Sequence, residues 1–508
     1  MKKVRLAAVM TASVMLAGMI AGCSSKSATS TESPGGSMPA TSASQTPMDL
    51  NVMFYTSANI QISHDSNEAI KFLEKKFNVH YNVMDVPLND YTTKQNTIVA
   101  SGSMPDVMVW NAFPDAALSQ YIKQGAFAQL DKYLDSAPNL KKYPQDIWNN
   151  VKVDGHYYII PRVRPITRTA IEIRKDWLDK LGLPIPKTMD DFAKVAIAFA
   201  QKDPDGNGKA DTYGIATDKN LGNLNPVFAA FGAGNGWLKQ ADGTLVKDST
   251  TSGANQTLQW LRDLYAQGAL SKDFPVQQGN ARKEIQSGKA GMMVESYIID
   301  YAQDLAALKK VDPKAELMYI DPPVGPTGIA GNFAGTGNAA GWVIPTTTKP
   351  EKIKKILEIM NWEASDEGYH FNKAGLDGIH NTKNADGTYT TNDKYIQDDI
   401  KELIMVSPYD PYSYVDSGAP ADVQKVQRDA LDKVRDKGIA NPVPAFISPT
   451  AVQKNGDLDK LRLDNFIKIV TGQLPASAFD EYVSKWKAGG GEQISKETNE
   501  FFKSQGGK

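Results

Sequence analysis

The sequence predicts an α/β fold, and two observations lead to this prediction. Segments with strand-like hydrophobic patterns alternate along the chain with segments whose apolar residues recur at helical spacing. Such alternation indicates parallel sheets covered by helices on both faces, with ligands bound at the carboxyl ends of the strands. A chain of 508 residues also exceeds the size at which one hydrophobic core stops growing, so we expect two or three compact units.

The first block of the chain has the predicted order β-α-β-α-β. Its strands are expected at residues 49–55, 79–83 and 107–110. Two helices lie between them, one capped by Ser66 and the other capped by Asp90 and running through Ala100. Tyr55 and Trp110 therefore stand at the carboxyl ends of strands, where such sheets bind ligands. Both residues, together with Asn111, are candidate ligand-binding residues.

A second block repeats the same pattern. Residues 171–178 pass from a strand into a helix, and Thr188 is expected to cap the helix that follows. Residues 290–294 and 341–344 have the apolar patterns of buried strands. From about Ile396 onward, amphipathic runs predict a mostly helical region.

The charge balance and the cysteine count exclude several classes of protein. The chain has 56 Lys and Arg against 58 Asp and Glu, a formal net charge of −2. It therefore lacks the basic excess of proteins that bind a phosphate backbone, and we expect no nucleic-acid partner. Cys23 is the only cysteine, which excludes an intrachain disulfide and a cysteine-rich metal site.

The first residues have the pattern of a bacterial export signal. A basic start is followed by residues 6–21, which carry no charge. This run is long enough for a signal peptide and short for a membrane span of about 20 residues. It ends in Ile20-Ala21-Gly22-Cys23, which resembles a lipobox. We predict a signal peptide over 1–22 and lipidation of Cys23; the alternative is a secreted protein without lipid.

The composition of residues 23–47 predicts a flexible tether. They are mainly Ser, Thr, Gly, Pro and Ala, so they cannot bury enough apolar surface to offset the cost of ordering. A coil of this length reaches about 25–30 Å, which would hold a folded body beside a membrane.

The most specific motif is the sequence DPDGNGKAD at residues 203–211. Its spacing of oxygen-bearing groups around a central glycine matches the calcium loop of EF-hands. The predicted metal ligands are Asp203, Asp205, Asn207, the carbonyl of Lys209, and Asp211. Position 12 is Gly214 instead of glutamate, so further ligands would come from Thr212, water or elsewhere. We expect a structural Ca²⁺; the alternative is a turn without metal.

No pattern predicts catalysis. The histidines form no HExxH motif, and no GxSxG or P-loop sequence occurs. Residues 335–341 resemble a dinucleotide-binding fingerprint, but a strand-like run follows where a phosphate site needs a helix N-terminus. Sequence alone cannot place two carboxylates on either side of a glycosidic bond. The prediction is therefore a protein that is not an enzyme, with an exported polysaccharide-active enzyme as an open alternative.

Aromatic residues provide a positive signal. Several stand near predicted strand ends or in loops rich in Gly and Pro, namely Trp110, Trp237, Tyr297, Tyr409, Tyr412 and Tyr414. Flat rings beside polar groups suit the faces and hydroxyls of sugars. A single tryptophan is nevertheless more often a core residue than a ligand platform.

Five segments resemble the family 1 extracellular solute-binding lipoproteins of ABC importers. They are the lipobox and residues 104–110, 173–184, 287–292 and 321–326. The resemblance covers nearly the whole chain after the signal peptide and is greatest to the maltose-type and alginate-oligosaccharide-binding members. The latter carry a calcium loop in the position of residues 203–211.

The resemblance implies a type II periplasmic-binding-protein fold, with two lobes, a hinge and an interlobe cleft. The lobes are expected at 48–165 with 342–395, and at 166–341 with 396–508. Trp110, Asn225, Glu295 and Tyr297 match positions of ligand contacts in the family.

Strand-end and hinge positions add three candidates: Tyr55, Arg162 and Arg164. An arginine at the hinge would suit an acidic sugar, or it would bridge the two lobes. Trp237 completes the predicted ligand-binding set.

The resemblance also implies a function. We expect a monomeric receptor, lipid-anchored on the outer face of the bacterial cell membrane, that captures an oligosaccharide and delivers it to the permease of an ABC transporter. A peptide receptor on the same fold is a further alternative.

Overall fold

The computed structural model describes residues 46–56, 64–279, 281–385 and 387–507. Pro47–Lys508 form one compact unit. The predicted signal peptide, Cys23 and nearly all of the predicted tether lie outside the described residues. Within the described ranges, no helix combines the length and apolar character needed to cross a membrane.

The strands are numbered in chain order. They are β1 (Met48–Thr56), β2 (Val79–Pro87), β3 (Val107–Trp110), β4 (Lys152–Val153), β5 (His156–Tyr157), β6 (Ile159–Val163), β7 (Thr169–Arg174), β8 (Tyr213–Ala216), β9 (Trp237–Lys239), β10 (Leu245–Lys247), β11 (Ala290–Tyr297), β12 (Leu317–Ile320), β13 (Asn332–Phe333), β14 (Asn338–Val343), β15 (Asn381–Lys383), β16 (Tyr389–Thr391) and β17 (Gly438–Ile439).

The helices are numbered in the same way. They are α1 (Glu68–Phe77), α2 (Leu88–Ser101), α3 (Ala116–Lys123), α4 (Gln145–Asn150), α5 (Lys175–Leu181), α6 (Met189–Gln201), α7 (Asn225–Ala230), α8 (Ser252–Ala266), α9 (Ala281–Gln286), α10 (Tyr301–Val311), α11 (Pro350–Glu363), α12 (Asp366–Ala374), α13 (Asp393–Gln397), α14 (Ile400–Leu403), α15 (Ala421–Arg435), α16 (Pro449–Val470), α17 (Ala478–Trp486) and α18 (Glu492–Ser504).

The helix caps show how local sequence sets these boundaries. Thr188 caps α6 as predicted, because its hydroxyl accepts a hydrogen bond from the Asp191 N–H at 3.2 Å. For α1 the predicted cap was wrong by one residue. Asn67, rather than Ser66, caps the helix through its side-chain oxygen. The prediction that Asp90 caps α2 was also wrong, because the helix begins at Leu88 and Asp90 lies in its first turn.

The first sheet has the strand order β2-β1-β3-β14-β6. β1 pairs in parallel with β2 and β3, which confirms the predicted β-α-β-α-β arrangement. β14 runs antiparallel to both of its neighbours. The carboxyl ends of β1, β3 and β6 therefore meet at one edge of this sheet.

The second sheet has the order β12-β7-β11-β8 and is largely antiparallel. β8 and β11 are parallel, whereas β7 runs against both β11 and β12. The expectation of wholly parallel sheets was therefore wrong. β7 and β14 run against their neighbours because each enters its sheet after crossing from the other lobe, instead of returning through a helix on the same sheet.

Each sheet packs into its own hydrophobic core. The first core surrounds the first sheet and contains Trp110 and Trp342. The second sheet is covered on one face by a core that contains Trp177 and Tyr482, and on the other by a cluster that contains Tyr319. Helices therefore cover both faces of the second sheet, as the α/β prediction requires.

The chain crosses between the two cores three times. The first crossing is residues 164–168, between β6 and β7, and the second is residues 334–337, between β13 and β14. The third is residues 407–414, which join Val406 of the first core to Val415 of the cluster on the second sheet. The predicted boundary at 395/396 precedes the last crossing, because Ile400, Leu403 and Val406 pack in the first core. We propose lobes of 48–163 with 338–406, and 169–333 with 415–504.

A buried glutamate holds the chain just before the third crossing. Glu363, at the end of α11, is fully buried, and its Oε2 accepts a hydrogen bond from the Val406 N–H at 3.1 Å. The neighbouring Met405 carbonyl accepts a hydrogen bond from the Trp342 indole. Burial raises the pKa of Glu363 to about 8, although backbone hydrogen bonds oppose the shift.

This burial predicts a pH-dependent contribution to stability. The folded state binds the Glu363 proton more tightly than the unfolded state, whose pKa lies near 4.5. The free energy of unfolding should therefore fall as pH rises from about 4.5 to about 8. Glu363→Gln should remove this contribution. From pH 5 to pH 8, the free energy of unfolding of the variant should rise by roughly 3–5 kcal/mol relative to that of the wild type. Urea unfolding at each pH would measure it.

Glu358→Gln, at an exposed position of the same helix, is the control. Parallel pH profiles for E363Q and the wild type would contradict the prediction.

Candidate functional site

A cavity of about 990 Å³ lies between the two lobes. The crossings form part of its wall through Pro165, Ile166, Thr167, Gly335, Thr336 and Tyr409. The first lobe contributes Asn149, Asn150 and Lys152, and the second contributes Asn235, Arg435 and Phe501. The lining therefore contains aromatic rings and side-chain amides, a group that has both hydrogen-bond donors and an acceptor.

A smaller cavity of about 440 Å³ belongs to the second lobe. It brings together two of the predicted residues, Asn225 and Trp237, with Phe228, Asp459 and Arg462. The two cavities are neighbours, because Phe446 lines the smaller one and stacks on Phe501 of the larger one, with ring centroids 4.4 Å apart.

Asn225 also contacts the predicted residue Glu295. Asn225 opens α7 and Glu295 lies near the carboxyl end of β11, so both side chains meet where the strands of the second sheet end. The Asn225 amide donates to the Glu295 carboxylate at 3.0 Å. Burial raises the pKa of Glu295 to about 7, while Asn225, Arg168 and Thr169 act in the opposite direction. At neutral pH this carboxyl is therefore partly protonated.

Tyr55 and Arg162 also lie together. The Arg162 guanidinium donates to the Tyr55 hydroxyl and sits 5.4 Å from the centre of its ring. It also forms an ion pair with Glu402 at 3.2 Å. Burial raises the pKa of Tyr55, against the lowering effect of Arg162. Glu402 neutralises Arg162. Since Tyr55, Arg162 and Glu402 all lie in the first lobe, these contacts link elements within that lobe and do not bridge the two lobes.

Arg164 and Arg168 stand at the two ends of the first crossing. Arg164 donates to the Tyr414 hydroxyl at 3.3 Å. The Arg168 guanidinium lies 5.7 Å from the Tyr297 ring and 5.6 Å from the Tyr414 ring. The predicted residues Arg164 and Tyr297 are therefore linked through Tyr414 and Arg168.

The expectation that Trp110 presents its ring to a ligand was wrong in this structure. Trp110 is only 2% exposed. Its ring packs edge-on against Tyr121 and Phe127, and its indole N–H donates to Asp115 at 3.2 Å. β3 is buried along its whole length, so the last residue of the strand stays in the core. Asn111 follows outside the strand, where its backbone N–H donates to Gln95.

The predicted calcium loop brings its carboxylates together. The Asn207 amide donates to Asp205 at 2.7 Å and to Asp211 at 3.0 Å, and the Gly208 N–H donates to Asp203 at 3.0 Å. Gly206 has a φ of 74°, which permits the tight turn. These hard oxygen donors suit Ca²⁺ in their chemistry.

Two features of this loop differ from an EF-hand. Lys289 forms an ion pair with Asp211 at 2.6 Å. A Cβ at Gly214 would lie 2.4 Å from the Ala196 carbonyl oxygen, so no side chain fits at position 12. Over the described ranges, no group of three or more His, Cys, Asp or Glu side chains is arranged to hold a metal.

Sequence reasoning missed several residues of these sites. Arg168, Glu402, Asn235 and Phe501 were not predicted. Arg168 carried a usable signal, since it continues a series of arginines with Arg162 and Arg164 in the segment that joins two predicted strands. Glu402 and Phe501 lie far along the chain, and nothing in the local sequence indicates their contacts.

A two-lobe α/β fold with a cavity between the lobes defines a class of solute receptors. A family model for bacterial extracellular solute-binding proteins matches residues 68–376. The chain belongs to this family, which confirms the family resemblance inferred from the sequence.

Individual proteins show the same relationship. The chain is 31% identical over 448 residues to the polygalacturonan/rhamnogalacturonan-binding protein YtcQ of Bacillus subtilis, covering 86% of this chain and 88% of YtcQ. It is 31% identical over 456 residues to lipoprotein LipO of the same organism, covering 87% and 89%. The fold also matches an EF-hand mutant of the ABC-transporter substrate-binding protein FusA of S. pneumoniae in complex with fructo-nystose. The TM-score is 0.64 at 19% identity, covering 90% and 99% of the two chains.

Proposed function

We propose that this protein captures an oligosaccharide between its two lobes and delivers it to the permease of an ABC transporter. The observation that carries the proposal is the 990 Å³ cavity, whose wall combines residues of both lobes with the crossings between them. A ligand held there contacts both lobes and so favours their closed arrangement. The permease would then recognise the closed form.

The chemistry of the wall supports a sugar ligand. Asn149, Asn150 and Asn441 supply amides that can hydrogen-bond to hydroxyls, and Tyr409 offers an aromatic ring. The Asn235 amide nitrogen already donates to the Ala334 and Ile439 carbonyls, so only its side-chain oxygen would serve a ligand. YtcQ and FusA, which bind saccharides, support this assignment by relationship. Binding requires no chemical change in the ligand, so we propose a receptor and not an enzyme.

The sequence at the N-terminus supports a membrane anchor. We propose that residues 1–22 are removed and that Cys23 carries a lipid, which would place the protein on the outer face of the cell membrane as a monomer. The relationship to lipoprotein LipO supports this assignment. Mass spectrometry of membrane-extracted protein should find a lipidated N-terminal Cys23, and an unmodified cysteine would contradict the proposal.

The loop at 203–211 supports a structural calcium site. Asp203, Asp205, Asn207, Asp211 and the Lys209 carbonyl would hold the ion, with the remaining ligands supplied by water or neighbouring groups. The ion would offset the repulsion among the three neighbouring carboxylates and make the loop rigid. Nothing near the loop resembles a group that activates a nucleophile, so the proposed role is structural.

Binding of an oligosaccharide should raise the thermal midpoint of residues 47–508 by mass action. We would screen saccharides of several classes and peptides, and then incubate each hit for a prolonged period. We expect a shift with one class of oligosaccharide and recovery of the intact ligand. Shifts with peptides alone would support the peptide-receptor alternative. Formation of shorter products would contradict the receptor assignment.

Calcium should stabilise the same protein. With calcium at roughly one hundred times its Kd, the gain is about 2–3 kcal/mol, visible as a higher midpoint that a chelator reverses. Asp205→Asn should lose this gain. Asp242→Asn, which changes a carboxylate in a separate surface turn, should retain it. If calcium and chelator give the same midpoint for the wild type, the loop is a metal-free turn.

A further inference from the structure

Lys289 lies beside the predicted calcium loop and contacts one of its carboxylates. The Lys289 ammonium donates to Asp211 Oδ2 at 2.6 Å, and Asp211 Oδ1 accepts a hydrogen bond from the Asn207 amide at 3.0 Å. Both oxygens of Asp211, at the ninth position of the loop, are therefore engaged within the chain. A cation that binds Asp211 has to replace one of these contacts.

The pairing of two strands fixes the backbone of Lys289 in this place. β8 and β11 run parallel, with Tyr213 opposite Ala290. Asp211 stands two residues before this pair, and Lys289 stands one residue before it. The Lys289 carbonyl also accepts a hydrogen bond from the Tyr213 N–H at 3.0 Å. The register of the sheet therefore holds the base of the Lys289 side chain beside the end of the loop.

A second lysine at the loop shows the contrast. The Lys180 ammonium donates to the Pro204 carbonyl at 2.8 Å and to the Asp203 carbonyl at 3.5 Å. Both contacts are with the backbone, so they support the shape of the loop and take up none of its carboxylates. Lys289, by comparison, contacts a side chain that the ion needs.

The loop also has fewer negative ligands than an EF-hand. Its carboxylates are Asp203, Asp205 and Asp211, and the twelfth position is Gly214 instead of glutamate. The close approach of the Ala196 carbonyl leaves no room for a side chain there. Calcium affinity in such loops depends on the number of charged ligands. The ammonium of Lys289 offsets one of the three charges that remain.

We propose that Lys289 is an internal competitor of calcium, whose ammonium neutralises Asp211 and has to leave this carboxylate when the ion binds. The exchange lowers the affinity of the loop, so the site fills at about 0.1–1 mM calcium, the range of extracellular calcium modules. Occupancy of the loop would then follow the calcium concentration outside the cell. This inference rests on the calcium site proposed above and identifies the residue that sets its affinity.

Calorimetric titration of residues 47–508 with CaCl₂ tests the competition. Lys289→Met keeps much of the length of the side chain and removes its charge. The variant should bind calcium with a Kd at least about threefold lower than that of the wild type, because the ion no longer has to displace a partly exposed ion pair. The titrations would be made in about 0.15 M NaCl, which screens distant charges.

Two further variants separate the contact from the net charge. Lys289→Arg keeps a cation beside Asp211 and should bind calcium within about twofold of the wild type. Lys283→Met removes an exposed lysine of α9. It should also leave the Kd within about twofold, because salt screens its charge from the loop.

Thermal midpoints provide a second readout of the same exchange. In chelator, K289M should melt below the wild type, because the three neighbouring carboxylates then repel one another without the ammonium. In saturating calcium, the two midpoints should converge. The difference between calcium and chelator should therefore be larger for K289M than for the wild type.

The outcomes separate this inference from the calcium site itself. Equal Kd values for the wild type and K289M would overturn the competition and leave the site in place. A gain in K283M as large as that in K289M would also overturn it, since net charge alone would explain the change. Failure of both the wild type and K289M to bind calcium would overturn the proposed site.

Discussion

The three chain crossings between two separate hydrophobic cores are the constraint on which the rest of the structure depends. Each core buries its own tryptophans, Trp110 and Trp342 in one and Trp177 in the other, so each lobe carries its own packing energy. The segments between them are short and contain arginines, glycines and tyrosines. Because the crossings form part of the wall of the interlobe cavity, a ligand bound there contacts the segments that join the two lobes.

Two buried carboxyl groups lie close to the chain crossings. Glu363 fastens the chain before the third crossing through Val406, and Glu295 lies beside the first crossing. For both residues, burial is the largest cause of the raised pKa. Both carboxyl groups therefore stay protonated to a higher pH than a carboxyl group exposed to water. The paired carboxylate of Glu402 differs, because it is available to neutralise Arg162.

The fold could be predicted further than the site. Periodicity placed the strands at 107–110 and 290–294, because apolar runs between turns leave few alternatives. The same apolar run, 107–110, also indicates that Trp110 belongs to the core. The antiparallel entry of β7 and the pairing of Arg162 with Glu402 depend on residues up to 240 positions apart, which local sequence does not encode. Asn225 and Glu295 were predicted only because their segments resemble known relatives.

The central claim is that ligand binding draws the two lobes together, and small-angle X-ray scattering tests it most directly. The measurement would use residues 47–508 at matched concentration, with and without a saturating oligosaccharide identified by calorimetry. The account predicts a smaller radius of gyration and a shorter maximum dimension in the bound state. Scattering curves that superimpose while calorimetry shows saturation would contradict it, since the ligand would then bind without moving the crossings.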